Sequence, residues 1–405
     1  LKLALQEQLA GTPIGLVLLA MVTRLSLWRW RCCIVASALL FAAKSPLVLQ
    51  RCGSDVAQVA MAPAFTNAAV APHRLAHARG VGGFCETLRR RQRADSRLMV
   101  RAAALTAGEE VRRQLLEKGV CSKVEKSTAG GGNFMLDTDR GRAFVKCGTG
   151  GSSASKEILE YEAEALRRLG KAAGGALKVP EPWLVGELRP GSAFIVQEAL
   201  DLGGGTNTNR LGEGLAALHA AAPPADWQQF GFPLEGCCGA CPQKNNAEGK
   251  DMNWVDFWKE CRLGDQLKML RANQAWDNEM QDVGAKLLEK VPEFFEPLGP
   301  PESIKPSLLH GDLWSGNIAS LRDGTPVIID PASYYGHYEA DHGINYMFGG
   351  GSAFRNSGYE ARFPRAPGYE QRRTLYELHH HMNHYNIFGT GYRGGAIAMM
   401  KNLLR

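Results

Sequence analysis

The N-terminal part of the chain lacks an apolar run long enough to span a membrane. Its two apolar segments, Ile14–Val22 and Cys32–Ala43, contain nine and twelve residues, whereas a transmembrane helix needs about 20. We therefore expect no stable membrane association. Either segment is long enough to be the apolar core of a signal sequence.

Acidic residues are scarce in the first 107 residues. This part holds 14 Lys/Arg and four Asp/Glu, a formal charge of +10, while the remaining 33 Lys/Arg and 37 Asp/Glu give −4. An Arg-rich, Ala-rich and acid-poor composition is typical of an organelle transit peptide. We predict that 1–107 is a poorly ordered transit or leader segment directing the protein to a chloroplast or other plastid. A signal or membrane anchor, and a mitochondrial or cytoplasmic location, are the alternatives.

Because the basic character belongs to the leader, the rest of the chain gives no reason to expect a nucleic-acid partner. The ten cysteines show no disulfide framework. Cys238 and Cys241 form one CxxC, but no second pair completes a zinc motif, so a chance loop cluster is favoured over a redox-sensitive loop. His380 and His384 lie one helical turn apart and could bind a metal, but a structural role is favoured for them.

The sequence GxxxxGK[ST] is absent, which excludes a nucleotide site of the P-loop type. The most informative segment is instead HGDLWSGN at 310–317, followed by the apolar run Val327–Ile329 and then Asp330. Asp312 is placed to take a proton from a hydroxyl, and Asn317 and Asp330 supply oxygens for Mg²⁺ on nucleotide phosphates. These are the groups that phosphoryl transfer needs. The segment between Asn317 and Asp330 is long enough to form a hairpin. The whole pattern predicts an ATP-dependent phosphotransferase.

Short strands with one helix precede this motif, and mainly helical patterns surround it. Predicted strands cover Phe134–Leu136, Ala143–Cys147, Lys178–Leu184 and Ala193–Gln197, and a helix covers 155–169. This order predicts an α+β, two-lobed, protein-kinase-like fold: a small antiparallel sheet with one key helix, then a larger helical lobe. We place the nucleotide-binding N-lobe at 108–198 and the catalytic, sugar-binding C-lobe at 199–405.

A carboxylate interrupts the apolar stripe of the predicted helix. Glu162 lies four residues after Ile158 and four before Leu166, in the middle of that stripe. A buried charge must be paired, and Lys146 in the strand Phe144–Lys146 is the predicted partner. The alternatives are an edge-strand lysine and a glutamate at the margin of the stripe. Upstream, Gly130, Gly131 and Gly132 suit a turn whose backbone approaches phosphates closely.

With these residues together, the chain resembles the fructosamine kinase (ketosamine 3-kinase) family, relatives of aminoglycoside and choline kinases. The resemblance runs from about residue 108 to 405. It rests mainly on HGDLWSGN at 310–317, on Asp330–His337, on Met347–Gly350 and on Asn383–Tyr392.

The resemblance implies a role for each candidate residue. Asp312 deprotonates the acceptor hydroxyl, Asn317 and Asp330 coordinate Mg²⁺, and Lys146, held by Glu162, contacts the ATP phosphates under the glycine turn. The backbone at Glu198 and Leu200 binds adenine. Trp314 lies beside the sugar, with a core tryptophan as the alternative.

The resemblance also implies the substrate: the 3-hydroxyl of ketosamines on glycated proteins or small amines. The resulting 3-phosphate eliminates and returns the free amine. A ribulosamine is favoured over an erythrulosamine or a fructosamine. A small-molecule kinase of the aminoglycoside or choline type is the alternative, and a homodimer is left open.

Overall fold

The computed structural model describes residues 107–130, 132–148 and 155–405. Five strands form one antiparallel sheet, in which the first, second, third, fifth and fourth strands along the chain lie side by side in that order. The elements of this lobe are α1 (107–117), β1 (Val124–Gly130), β2 (Asn133–Thr138), β3 (Gly141–Cys147), α2 (Lys156–Ala173), β4 (Pro182–Arg189) and β5 (Ser192–Glu198).

Strand β5 shows how the sheet is covered on both faces. Side chains alternate between the faces of a strand. Phe194 and Val196 belong to a core cluster with Val111 and Leu115 of α1, while Ala193 and Ile195 belong to the core shared with α2 and the helical part. Because both faces are covered, β5 reads as a continuous apolar run rather than an alternating one.

The same alternation orients β3. Ala143 and Val145 pack in the cluster on the α1 face, so Phe144 and Lys146 point to the face that α2 covers. Helix α2 begins after Ser155, whose hydroxyl accepts from the Ile158 N–H at 3.4 Å. The fold therefore directs Lys146 towards the helix that carries Glu162.

The rest of the described chain is mainly helical and contains paired short strands. The pairs are β6 (Gly236–Cys238) with β7 (Cys241–Gln243), β8 (Ser307–Leu309) with β11 (Tyr334–Gly336), and β9 (Ile318–Ser320) with β10 (Pro326–Ile328). The helices are α3 (Thr208–Ala220), α4 (Trp254–Phe257), α5 (Asp265–Asn273), α6 (Asn278–Lys290), α7 (Asn345–Phe348), α8 (Ser357–Glu360), α9 (Tyr369–Phe388) and α10 (Arg393–Leu403). A π-helical segment, Trp258–Gly264, joins α4 to α5. Within the described residues, none of the helices has the length and apolar character needed to cross a membrane.

The predicted α+β, two-lobed fold is confirmed, with two corrections to its strands. The segment before Phe134 is not only a turn, because 124–130 forms β1; its sequence VEKSTAG has too few apolar residues to reveal a strand. Lys178 lies outside β4, which begins at Pro182. The Lys178 N–H instead donates to the Pro326 carbonyl at 2.8 Å and connects to β10. Residues 1–106 of the predicted leader lie outside the described residues.

A buried ion pair yields a prediction about stability. Arg372 of α9 donates to both carboxylate oxygens of Glu339, at 2.7 and 2.9 Å, and both side chains are almost fully buried. Arg372→Met leaves Glu339 buried without its partner, so it should destabilise the fold by about 3–5 kcal/mol. Thermal unfolding checks this against Arg365→Met, which removes exposed ion pairs. Equal melting temperatures for the two variants would contradict the prediction.

Candidate active site

The segment after β8 carries the HGD motif on a tightly turned backbone. Gly311 has φ of +81°, and a Cβ at this position would lie 2.0 Å from the Ala332 carbonyl oxygen. Only glycine fits such a contact. The Ala332 N–H donates to the His310 carbonyl at 2.9 Å, so the segment after Asp330 is fixed against the motif.

His310 is a structural histidine within the motif. It is fully buried, its Nδ1 accepts from the Asp312 N–H at 3.3 Å, and its Nε2 donates to the Ile329 carbonyl at 2.9 Å. Burial lowers the pKa of His310, which agrees with a neutral ring that accepts at one nitrogen and donates at the other. His310 therefore ties the backbone of Asp312 to the residue before Asp330.

Asp341 anchors the same backbone and was missed in the sequence. Its carboxylate accepts from the N–H groups of His310 and Gly311, at 2.8 and 2.7 Å, and lies 3.1 Å from His219 Nε2. Burial alone would raise the pKa of Asp341, but the interactions with His219, with the His310 ring and with the Gly311 N–H outweigh it and hold the pKa below its ordinary value. No short sequence motif connects Asp341 to residue 312, so the spacing of residues in the sequence does not predict this contact.

Asn317 links the two predicted acidic residues. Its Nδ2 donates to the Asp312 carbonyl at 2.8 Å, to Asp312 Oδ2 at 3.1 Å and to the Asp330 carbonyl at 3.4 Å. The amide nitrogen is thus directed at the protein, and Oδ1 is left as the atom that can bind a cation. Asp330 has φ of +51°, an uncommon conformation for a residue other than glycine. Such backbone conformations cluster at functional sites.

The carboxyl of Asp312 has an unusual acidity. Burial raises its pKa from 3.8 to about 6, aided by the Asp330 and Asp341 carboxylates and opposed by the Asn317 hydrogen bond. A carboxyl with a pKa near neutrality is suited to general base catalysis. The oxygens of Asn317 and Asp330 match the hard oxygen ligands that Mg²⁺ prefers.

Lys146 connects this group to the sheet. Its Nζ lies 3.0 and 2.9 Å from the carboxylate oxygens of Glu162 and 3.3 Å from Asp330 Oδ1. Burial alone would lower the pKa of Lys146, but these two carboxylates outweigh it and the pKa is raised. Lys146 therefore remains a cation beside Asp330, where it can attract phosphate oxygens.

The glycine turn lies at the same end of the sheet. Gly130 ends β1 and pairs with Asn133, which in turn pairs with Lys146 in the register of β2 and β3. Gly132 has φ of +100°, and Gly131 lies outside the described residues. The turn is therefore one strand away from the lysine.

Adenine and sugar contacts were predicted at three further residues. Glu198 is the last residue of β5, and Leu200 follows two residues later, at the passage from the sheet into the helical part. Trp314 is half-buried rather than part of the core, and its ring packs edge-on against Phe348 at 5.8 Å. A Cβ on Gly316 would lie 2.3 Å from this ring, so glycine is needed where the ring covers the backbone.

Taken together, the structure joins five of the predicted residues by direct contacts: Lys146, Glu162, Asp312, Asn317 and Asp330. The glycine turn is adjacent through the strand register. Trp314 joins this group through its backbone, because its N–H donates to the Asp312 carbonyl at 3.1 Å and its carbonyl accepts from the Asn317 N–H at 2.9 Å. Within the described residues, Glu198 and Leu200 make no hydrogen bond to the group. The roles of all these residues remain predictions.

Comparisons with known proteins identify relatives of this chain. The sequence model of the fructosamine kinase family matches residues 109–405. The chain is 38% identical over 310 residues to "Protein-ribulosamine 3-kinase, chloroplastic" of Arabidopsis thaliana, covering 75% of this chain and 90% of that protein. It is 36% identical over 310 residues to "Ketosamine-3-kinase" of Mus musculus, covering 70% and 96%.

A solved structure is similar as well. The crystal structure of a putative fructosamine-3-kinase from Thermobifida fusca matches with a TM-score of 0.57 and 26% identity, covering 70% of this chain and 94% of that one. The HGD motif, the Lys146–Glu162 pair and Asp330 thus lie in a chain whose similarity to such kinases extends over nearly their whole length. This chain belongs to the fructosamine kinase family.

Proposed function

We propose that this protein is an ATP-dependent ketosamine 3-kinase that acts on ribulosamines on glycated proteins or small amines. The observation that carries the proposal is the chain of contacts from Lys146 through Asp330 and Asn317 to Asp312. The plant relatives named protein-ribulosamine 3-kinase support a ribulosamine over a fructosamine. We assign nucleotide binding to 108–198 and acceptor binding to 199–405.

In the proposed reaction, Asp312 accepts the proton of the acceptor 3-hydroxyl. The sugar oxygen forms a bond to the γ-phosphorus of ATP while the bond from that phosphorus to the β–γ bridging oxygen breaks, and ADP leaves. Lys146, fixed by Glu162, holds phosphate oxygens, and the backbone at Glu198 and Leu200 holds adenine. Positioning of this kind supplies most of the catalysis in phosphoryl transfer.

Asn317 and Asp330 are the residues proposed to hold Mg²⁺. When bound there, the ion neutralises negative charge on the nucleotide phosphates. Trp314 is proposed to pack against the C–H face of the sugar, since its half-buried ring lies on the same loop as Asp312.

Substrate choice is tested with the purified chain, Mg²⁺ and ATP against ribulosyl-lysine, fructosyl-lysine and kanamycin. Phosphorylation is followed by ADP formation and by phosphorus NMR of the sugar product. We expect the highest kcat/KM for ribulosyl-lysine. A preference for kanamycin would replace the proposal with an aminoglycoside kinase, and equal rates for the two ketosamines would remove the ribulosamine assignment.

The proposed base gives a prediction about pH. Asp312 must be ionised to accept a proton, and its pKa is about 6 in the free protein. The kcat/KM for the acceptor reports the free enzyme. It should therefore rise with pH, increase about tenfold per unit well below pH 6, and level off above pH 7. Initial rates between pH 4.5 and 8.5 check this, and a flat profile through pH 6 contradicts it.

A plastid location is also proposed, supported by the Arg-rich leader and by the chloroplastic names of the plant relatives. Imaging of residues 1–107 fused to a fluorescent protein tests this location, and mitochondrial or cytoplasmic fluorescence would contradict it.

The oligomeric state is a separate question. Light scattering of the purified chain decides between a monomer and the homodimer that the sequence leaves open.

A further inference from the structure

Two side chains beside Asp312 have no part in the proposed reaction. Cys238 at the end of β6 and His380 of α9 each bring one possible ligand atom close to the Asp312 carboxylate. The sulfur, the imidazole nitrogen and the carboxylate oxygen all lie within 4.8 Å of one another. Because 142 residues separate the cysteine from the histidine, this grouping exists only in the folded chain.

Both side chains are buried and available. Cys238 is a free thiol with 4% of its surface exposed, and His380 is also 4% exposed. Nδ1 of His380 is buried and has no hydrogen-bond partner in the described part of the chain. A buried polar atom without a partner is destabilising, and an ion bound through Nδ1 would provide that partner.

The fold holds the cysteine against the helix of the histidine. Asn383, three residues after His380 on α9, donates from Nδ2 to the Cys238 carbonyl at 3.2 Å. The Asn383 carbonyl lies 3.9 Å from the Cys241 sulfur, on the other strand of the β6–β7 hairpin. The hairpin is thus docked on the same turn of α9 that carries His380, which fixes the spacing of the two ligand atoms.

We propose that Cys238, Asp312 and His380 form a binding site for a divalent ion of the zinc class. Thiolate, imidazole and carboxylate are the ligand types that Zn²⁺ takes, with bonds of about 2.0–2.3 Å. A tetrahedral ion with such bonds separates its ligand atoms by about 3.3–3.8 Å, so small side-chain rotations are enough to close the cluster. Mg²⁺ and Ca²⁺ prefer oxygen ligands and are not expected here.

An ion at this site inhibits the kinase. It takes the carboxylate of Asp312 as a ligand, and that carboxylate can then no longer accept the proton of the acceptor hydroxyl. Three protein ligands leave a fourth position open to water. Binding requires the Cys238 thiol to lose its proton to solvent, so it strengthens as pH rises. Only this inhibitory effect rests on the proposed function; ion binding does not.

Binding is tested first, on the full chain without nucleotide or sugar. Zn²⁺ is titrated in competition with a chromophoric indicator, and Co²⁺ is used as a spectroscopic probe. Because loss of an outer-shell partner alone costs about 10–100-fold in affinity, Cys238→Ser and His380→Asn should each weaken one bound equivalent of Zn²⁺ by at least about tenfold. The sulfur-to-cobalt absorption of that equivalent should disappear in Cys238→Ser.

Matched controls come from the same two elements. Cys241→Ser changes the cysteine paired with Cys238 across the hairpin, and His381→Asn changes the next residue of α9; neither belongs to the cluster. Both controls should bind Zn²⁺ as the unaltered chain does. The same affinity and stoichiometry in all four variants would overturn the site, because the bound ion would then lie elsewhere, for instance on the cysteines of the leader.

Inhibition is tested second, as the ratio of each variant's own turnover with and without Zn²⁺ at saturating Mg²⁺. The unaltered chain and the two controls should lose activity at the Zn²⁺ concentration that fills the site. Cys238→Ser and His380→Asn should lose the same fraction of their activity only at a Zn²⁺ concentration at least about ten times higher. Equal sensitivity would overturn the inhibitory role even if binding is found. If no sugar is phosphorylated at all, the proposed function fails while the binding result still decides the site.

Discussion

Asp312→Asn is expected to lower turnover by about 10²-fold or more and to leave ATP affinity nearly unchanged. The amide is almost the same size as the carboxyl, but it cannot take up a proton at neutral pH. Oδ1 of the new asparagine can still accept the hydrogen bond from Asn317, which now reaches the Asp312 carboxylate at 3.1 Å. The backbone of the loop is held by Asp341, so the fold should persist.

The measurement is kcat with ribulosyl-lysine together with an ATP dissociation constant from calorimetry. Asp323→Asn is the matched control, since Asp323 lies in the hairpin turn after β9 and its side chain accepts from the nearby Thr325 N–H. That variant should keep normal turnover. A near-normal kcat for Asp312→Asn would remove the base from the mechanism, whereas a loss of ATP binding would show that the change disturbs the nucleotide site instead.

The sequence predicted those parts of the fold that local patterns determine. The hairpin between Asn317 and Asp330 is present as β9 and β10, closed by hydrogen bonds from the Leu321 N–H to the Thr325 carbonyl and from the Gly324 N–H to the Leu321 carbonyl, with φ of +81° at Gly324. A charged residue within an apolar helical stripe pointed to the Lys146–Glu162 pair. The hairpin was predictable because its residues are close in the chain. The ion pair was predictable because a buried charge needs a partner.

Long-range contacts could not be predicted in this way. The anchoring of the HGD loop by Asp341, the pairing of Arg372 with Glu339, and the approach of Cys238 to His380 all depend on how the helices and hairpins pack. Each involves residues that look ordinary within their own segment. Strand β1 could not be predicted for a different reason. Its polar and glycine residues do not form the alternating apolar pattern of a strand, and it is a strand because it pairs with β2.

Glu162→Ala should lower kcat/KM for ATP, because it removes the two hydrogen bonds by which Glu162 positions Lys146. In the structure Lys146 is held by two contacts to Glu162 and one longer contact to Asp330. Without Glu162, the ammonium group keeps only Asp330, a residue proposed to hold Mg²⁺. A hydrogen bond to a charged group contributes about 1.5–3 kcal/mol, so kcat/KM for ATP should fall by roughly ten- to a hundredfold.

Three variants separate this positioning effect from a general loss of stability. Glu164→Ala lies on the same helix and removes a glutamate that pairs with Arg168, so it should leave kcat/KM for ATP almost unchanged. Lys146→Met removes the proposed phosphate contact itself, and adding Glu162→Ala to it should cause little further loss, because Glu162 acts through the lysine. If the two losses multiply instead, or if Glu162→Ala alone stays within twofold of the unaltered chain, Lys146 is held in place by other groups.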